Sequence, residues 1–171
     1  PPGQEPREPT HPVFDGSQPE EKVVDNTVLN EEEGKITTLL LDLLKPYNGS
    51  FRTVNMDRFY NGPLAAISML QKGILCRGTV LTSRRFTPTS LRFSDKDTKK
   101  CPRGSFRMAA AVKAHMSIFG WNDGCGVHMI STADGTEIGS VTRQIKAVSK
   151  EISAPKVVKR YNDGMQGVDR H

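Results

Sequence analysis

The chain has 171 residues, 36% hydrophobic and 6% aromatic, with a net charge of +5, enough for one domain with a real core and tight for two. No apolar run approaches the roughly 18 residues that a membrane-spanning helix needs, and no basic-then-apolar leader opens the chain, so a soluble protein is expected. Three cysteines, Cys76, Cys101 and Cys125, are odd in number and widely spaced, which argues against a disulfide framework and fits a reducing compartment.

The charge is split along the chain. Residues 1–34 hold nine acids against two bases, whereas residues 35–171 hold ten acids against 22 bases. Arg84, Arg85, Arg92, Lys96, Lys99, Lys100, Arg103 and Arg107 supply much of that excess. A basic domain behind an acidic arm suits a polyanionic partner, nucleic acid first, or equally a solvated face that keeps the domain in solution.

Residues 1–33 read as an acidic, proline-rich linker or disordered arm, with six of the eleven prolines inside the first 30 positions. Ile36, Leu39, Leu40, Leu43 and Leu44 then recur at helical spacing and predict an amphipathic helix over 31–45, stopped by Pro46. Tyr47 to Ser50 is a turn. FRTVNMD (51–57) alternates as a strand, and Asp57 closes it. Asn61-Gly62-Pro63 opens a second helix that carries Ala66, Met69 and Leu70 on one side and stops at Gly73. ILCRGTVLT (74–82) is a second strand. Helix, strand, helix, strand makes an α/β unit with a parallel pair.

After Arg85 the pattern breaks, and 86–107 reads as a polar, basic insertion or long loop. FRMAAAVKAH (106–115) fits strand or helix. GVHMIST (126–132) is a strand ended by Ala133-Asp134-Gly135, SVTRQIKAV (140–148) a weaker one, and a helix begins near Pro155.

Several residues could carry chemistry. Asp57 stands where α/β sheets bind ligands, beyond a strand's C-terminal end, and could hold a divalent metal through hard oxygen contacts or cap the next helix. Asp163 and Asp169 flank the glycine-containing GMQGV run, close to backbone that a substrate could approach, or simply face solvent in a helical turn. Cys125 and His128 have zinc-like local spacing, but Cys101 is too isolated to complete a tetrahedral set. Phe59, Tyr60 and Trp121 could stack on bases or be buried in the core.

Two blocks together are more specific. VNMDRFYNGPLAAISMLQKGILCRGTVLTSRR resembles the piggyBac-type transposase block in which a strand ends in an Asp-Asn-Phe-Tyr-like run, followed by a helix and a Gly-Thr strand with basic residues. RYNDGMQGVDRH resembles that family's Tyr-Asn-x-x-Met-Gly-Gly-Val-Asp run. The resemblance covers about residues 34–171 and implies an α/β fold: a partial ribonuclease H-like mixed sheet with flanking helices and a β-rich insertion over about 86–155.

It further implies a DDE/DDD transposase chemistry in which three aspartates hold two divalent ions, Mg²⁺ or Mn²⁺, for DNA strand cleavage and transfer. Asp57 matches the second aspartate and Asp169 the third, 112 residues on. Arg84, Arg85, Lys99, Lys100 and Arg103 become candidate DNA contacts. The implied partners are transposon ends and target DNA, with no membrane, a homodimer in the full-length protein and a nuclear location.

Arg58 and Gln166 depart from the family's Asn and Gly at their positions. The first aspartate has no match, since Asp15 and Asp25 lie in proline- and glutamate-rich sequence without a strand pattern. The expectation is a fragment that begins after the first catalytic motif, ends within the third and is inactive alone. The alternative is a domesticated, non-catalytic DNA-binding protein derived from a transposase.

Overall fold

The computed structural model describes residues 31–165. Helix α1 (Glu31–Leu44) leads through a short 3₁₀ turn at Lys45–Tyr47 into strand β1 (Thr53–Met56), helix α2 (Pro63–Gln71) and strand β2 (Leu75–Thr79). Helix α3 (Asp95–Lys100) precedes strands β3 (Phe106–Ala111), β4 (Met116–Asn122) and β5 (Gly126–Ser131). Strands β6 (Ile138–Ile145) and β7 (Val148–Pro155) form a hairpin, and helix α4 (Lys156–Met165) follows directly.

Five strands make one mixed sheet in the order β1-β2-β5-β4-β3. The β1–β2 pair is parallel, as a strand–helix–strand crossover requires, and the other pairs are antiparallel. The stretch expected to be a β-rich insertion does carry five strands. Three of them, β3 to β5, extend the parallel pair into the main sheet, because β5 satisfies the edge of β2 that β1 leaves open.

Period-two alternation builds a core on each face of this sheet. On one side Met116, Ile118, Ile130, Cys76 and Met56 pack against Leu40 and Leu44 of α1 and Ala65, Ala66 and Met69 of α2. On the other, Phe119, Trp121 and Met129 pack against Val141, Ile152 and Ala154 of the hairpin and Val157 and Val158 of α4. The Trp121 indole donates to the Ser153 carbonyl at 2.9 Å, so the largest core side chain also pins the hairpin to the sheet.

Several elements differ from the sequence expectation. Helix α1 spans Glu31–Leu44, the span its 31–45 periodicity predicts. Its apolar stripe, however, is narrower than the five expected positions: Leu40 and Leu44 are buried while Leu39 and Leu43 are 64% and 71% exposed. The 86–107 stretch is not irregular throughout, because Ser94 and Asp97 form a reciprocal capping box that starts α3. FRMAAAVKAH resolves as strand β3 followed by a 3₁₀ turn at Val112–Ala114. MSIFGWN is β4, buried at all seven positions, and had no expectation attached to it. The expected strand 140–148 is two strands that reverse at Lys146-Ala147. No helix among the described residues is long and apolar enough to cross a membrane.

Candidate functional site

Asp57 follows the last residue of β1 and organises its own turn. Its Oδ1 accepts the Phe59 N–H at 3.0 Å, and its carbonyl accepts the N–H groups of Tyr60 and Asn61, both at 3.1 Å. It does not cap the next helix. That N-cap is Gly62, with Pro63 in the first turn. The side chain of Asp57 stays exposed at the sheet's end.

Two close approaches fix where Asp57 stands. A Cβ on Gly78 would lie 1.9 Å from the Met56 carbonyl oxygen, so only glycine lets β2 pair this closely with the residue preceding Asp57. A Cβ on Gly164 would lie 2.0 Å from Asn55 Nδ2, so α4 presses against β1 on the sheet face that alternation gives to Asn55. Tyr161 of α4 lies within the field of Asp57. Burial raises the phenol's pKa, a hydrogen bond with Thr79 opposes that, and the Asp57 charge adds to the rise. Asp163 is exposed on the same helix. Asp169 lies outside the described residues.

Strand directions bring the basic candidates to this same end. β1 and β2 run parallel, so Asp57 and the loop after Thr79 share it, and that loop carries Arg84 and Arg85. β4 is antiparallel to β5, which is antiparallel to β2, so Asn122 at the end of β4 belongs there too. The buried Asn122 amide donates to the carbonyls of Thr98, Cys101 and Pro102 at 3.1, 3.0 and 3.3 Å, which seats α3 at that end.

The candidates differ in commitment. Arg84 donates to the Phe59 carbonyl at 2.6 Å, and the Arg85 guanidinium sits 4.8 Å from the Phe86 ring centroid. Lys99 and Lys100 are exposed in the last turn of α3. Arg103 pairs with Asp123 at 2.8 Å, and Arg143 of β6 holds the other oxygen of that carboxylate at 2.9 Å.

Asp134 escaped the sequence reading as anything more than a turn residue. Its carboxylate, with 1% of the side chain exposed, receives Arg77 Nε at 2.7 Å, Arg77 Nη2 at 3.0 Å, Arg160 Nη1 at 2.8 Å and the Ser131 hydroxyl at 2.7 Å. Burial pushes its pKa up, but hydrogen bonds from Arg77, Arg160 and Ser131 outweigh that and leave it below the ordinary carboxylate value. This cluster locks β2, the turn after β5 and α4 together. Its partners stand 57 and 26 residues away in sequence, and no local motif announces them.

Among the described residues no three metal-ligating side chains converge. Asp57 stands there without the further carboxylates or imidazoles beside it that would complete a metal site. The zinc-like Cys125–His128 pair does not act as one, since Cys125 is exposed while His128 Nε2 accepts the Phe93 N–H at 3.0 Å. Phe59 and Tyr60 are exposed, and Trp121 is buried.

A family model described as Transposase IS4 matches residues 15–171. The cryo-EM structure of a piggyBac transposase synaptic complex with hairpin DNA superposes with a TM-score of 0.58 at 20% sequence identity, covering 88% of this chain. The match spans 28% of that chain's length. At this identity the likeness is one of fold, and the mixed sheet with flanking helices is the ribonuclease H-like arrangement expected from the sequence. No curated protein matches the chain.

Proposed function

Because the chain belongs to the Transposase IS4 family, we propose that it is a piece of the catalytic domain of a piggyBac-like DNA transposase, working on chromosomal DNA in the nucleus. One observation carries this reading. Asp57 stands at the end of β1, at the same end of the sheet as the Arg84–Arg85 loop and the basic end of α3.

Asp57 would hold a divalent ion together with Asp169, and a bound Mg²⁺ or Mn²⁺ supplies Lewis-acid stabilisation of phosphate oxygens. The turn hydrogen bond to Oδ1 fixes the carboxylate's direction before any ligand arrives. Arg85, Lys99 and Lys100 take DNA phosphates from an exposed position. Arg84 and Arg103, tied to the Phe59 carbonyl and to Asp123, act as fixed positive charges. The close approach of Gly164 to Asn55 brings α4 beside β1.

The 171-residue chain alone binds DNA and does not cut it, because no aspartate in a strand-like setting matches the first of the family's three. Titrating the chain with labelled duplex at rising salt, then incubating it with supercoiled plasmid and Mg²⁺ or Mn²⁺, tests both halves. The expected result is binding that weakens steeply between 50 and 200 mM salt, with no nicking. Absence of binding at low salt would overturn the DNA reading, and nicking that disappears in Asp57→Ala would overturn the inactivity. DNA binding with Mn²⁺ affinity unchanged by Asp57→Asn would point to the domesticated binding protein.

A further inference from the structure

The aromatic pair beside Asp57 has no part in the chemistry above. Phe59 and Tyr60 are 52% and 46% exposed, on a turn whose backbone is hydrogen-bonded. Their rings meet edge to face with centroids 5.0 Å apart and planes at 85°. Asp57 accepts the N–H groups of both residues, and Arg84 donates to the carbonyl of Phe59. Scattered exposed hydrophobics are ordinary, but two adjacent large rings in edge-to-face contact, on a turn whose backbone these hydrogen bonds fix, present a preformed surface.

The surroundings select the partner. Residues 58–94 contain no Asp or Glu, and Arg58, Arg84, Arg85 and Arg92 lie within them. In the loop that follows β2, the Arg85 guanidinium lies 4.8 Å from the Phe86 ring centroid. Aromatics and arginines also mark protein-binding hot spots, but a stretch with arginines and no acid suits a polyanion, and a nucleic-acid strand offers both π faces for the rings and phosphates for the guanidiniums. In an intact duplex those faces are covered by neighbouring bases, so only an unstacked base can use exposed rings. Tyr60 also borders a small cleft with Gly62, Leu64, Arg84 and Arg85, lined by Asn61, whose buried side-chain amide has no hydrogen-bond partner among the described residues.

We propose that Phe59 and Tyr60 form a seat for an unpaired nucleobase of a DNA strand, beside Asp57, with Arg58 and Arg85 on the flanking phosphates. This rests on the DNA reading above and deepens it, since it names the strand geometry the site accepts. DNA with an unpaired base next to the bound phosphate is held more tightly than fully paired DNA, and the difference resides in these two rings.

The test uses the full 171-residue chain and two 20-base-pair duplexes, one fully paired and one with a single bulged 2-aminopurine. Affinity is read by anisotropy, and base stacking by quenching of the 2-aminopurine fluorescence. Wild type is expected to prefer the bulged duplex by about 5- to 100-fold and to quench the probe. The Phe59→Ala/Tyr60→Ala chain should bring the ratio near one and abolish quenching, while Tyr60→Phe, which keeps the ring, restores both.

Salt-dependent binding with equal affinity for the two duplexes and no quenching by wild type would refute the base seat while leaving the DNA reading standing. Failure of wild type to bind either duplex at 50 mM salt would overturn both. If the double variant loses its cooperative melt, the wild-type and Tyr60→Phe measurements still decide, because quenching and preference are read on folded protein.

Discussion

Replacing Asp134 with alanine probes the cluster that positions α4. The wild-type carboxylate is buried between a nearly buried Arg77, with 15% of its side chain exposed, and a half-exposed Arg160 at 45%. Removing the anion leaves Arg77 in the interior without its bidentate partner, and breaking a buried pair in this way costs about 3–5 kcal/mol. Arg160→Ala removes only the outer arm, which water partly replaces, so about 1 kcal/mol is expected. Thermal unfolding followed by circular dichroism at pH 7 should show Asp134→Ala melting on the order of 10 °C below wild type.

The pH dependence follows from the same contacts. A carboxylate whose folded pKa is depressed contributes stability that is present above its unfolded value near 3.8 and is lost as pH falls through the folded one. The gap between wild type and Asp134→Ala should therefore narrow below about pH 4. An Asp134→Ala chain within about 0.5 kcal/mol of wild type at pH 7 would refute the claim that this cluster holds α4 in place.

Further expectations concern strain, titration and reactivity. Lys146 and Ala147 turn the β6–β7 hairpin at φ of 50° and 64°, a geometry that suits Asn-Gly, so Ala147→Gly should stabilise the domain by about 1 kcal/mol in denaturant unfolding. Burial first, and then the charges of Arg92 and Arg107, lower the pKa of His128 from 6.5, and its Nε2 must stay unprotonated to accept from Phe93. Unfolded chains therefore bind the proton more readily. Stability should fall as pH drops through 6.5 and level off below the folded pKa, and His128→Gln should remove that component of the slope. Iodoacetamide at pH 8 should modify exposed Cys125 rapidly and leave Cys76 unmodified until unfolding, because burial raises that thiol's pKa and shields it, as mass spectrometry of the peptides would show.

The parts of the fold legible in the sequence are those encoded by local pattern. Alternation in FRTVNMD, the Gly62-Pro63 helix start and the GVHMIST run each marked an element that forms nearly where expected. Strand β4 was missed because a strand buried on both faces does not alternate, and Ser117, Gly120 and Asn122 break its apolar run. The β6–β7 reversal was hidden for a different reason. Lys-Ala carries none of the glycine or asparagine that normally signals such a turn, and only the paired strands around it hold the positive φ angles.

The candidate site shows the same division. Asp57 was legible because strand-ending carboxylates are a local feature, and Arg84 and Arg85 because they are contiguous. Asp134 was not, since its meaning depends on Arg77 and Arg160, which only the folded chain brings to it. Phe59 and Tyr60 were ambiguous between core and surface. Both stand in the turn that Asp57 builds beyond β1, and both are exposed there.

The central claim is that the Asp57 end of the sheet faces DNA. It is tested most directly by comparing the salt dependence of duplex binding for two sets of alanine substitutions. Arg85, Lys99 and Lys100 are exposed at that end, whereas Lys45 and Lys72 are exposed near the Gly49–Gly73 turn, where β1 and β2 begin. The account predicts that Arg85→Ala/Lys99→Ala/Lys100→Ala weakens binding and flattens the slope of log K against log salt by about 2–3, while Lys45→Ala/Lys72→Ala leaves the slope unchanged. Equal losses from the two sets, or a larger loss from the Lys45 and Lys72 pair, would contradict it.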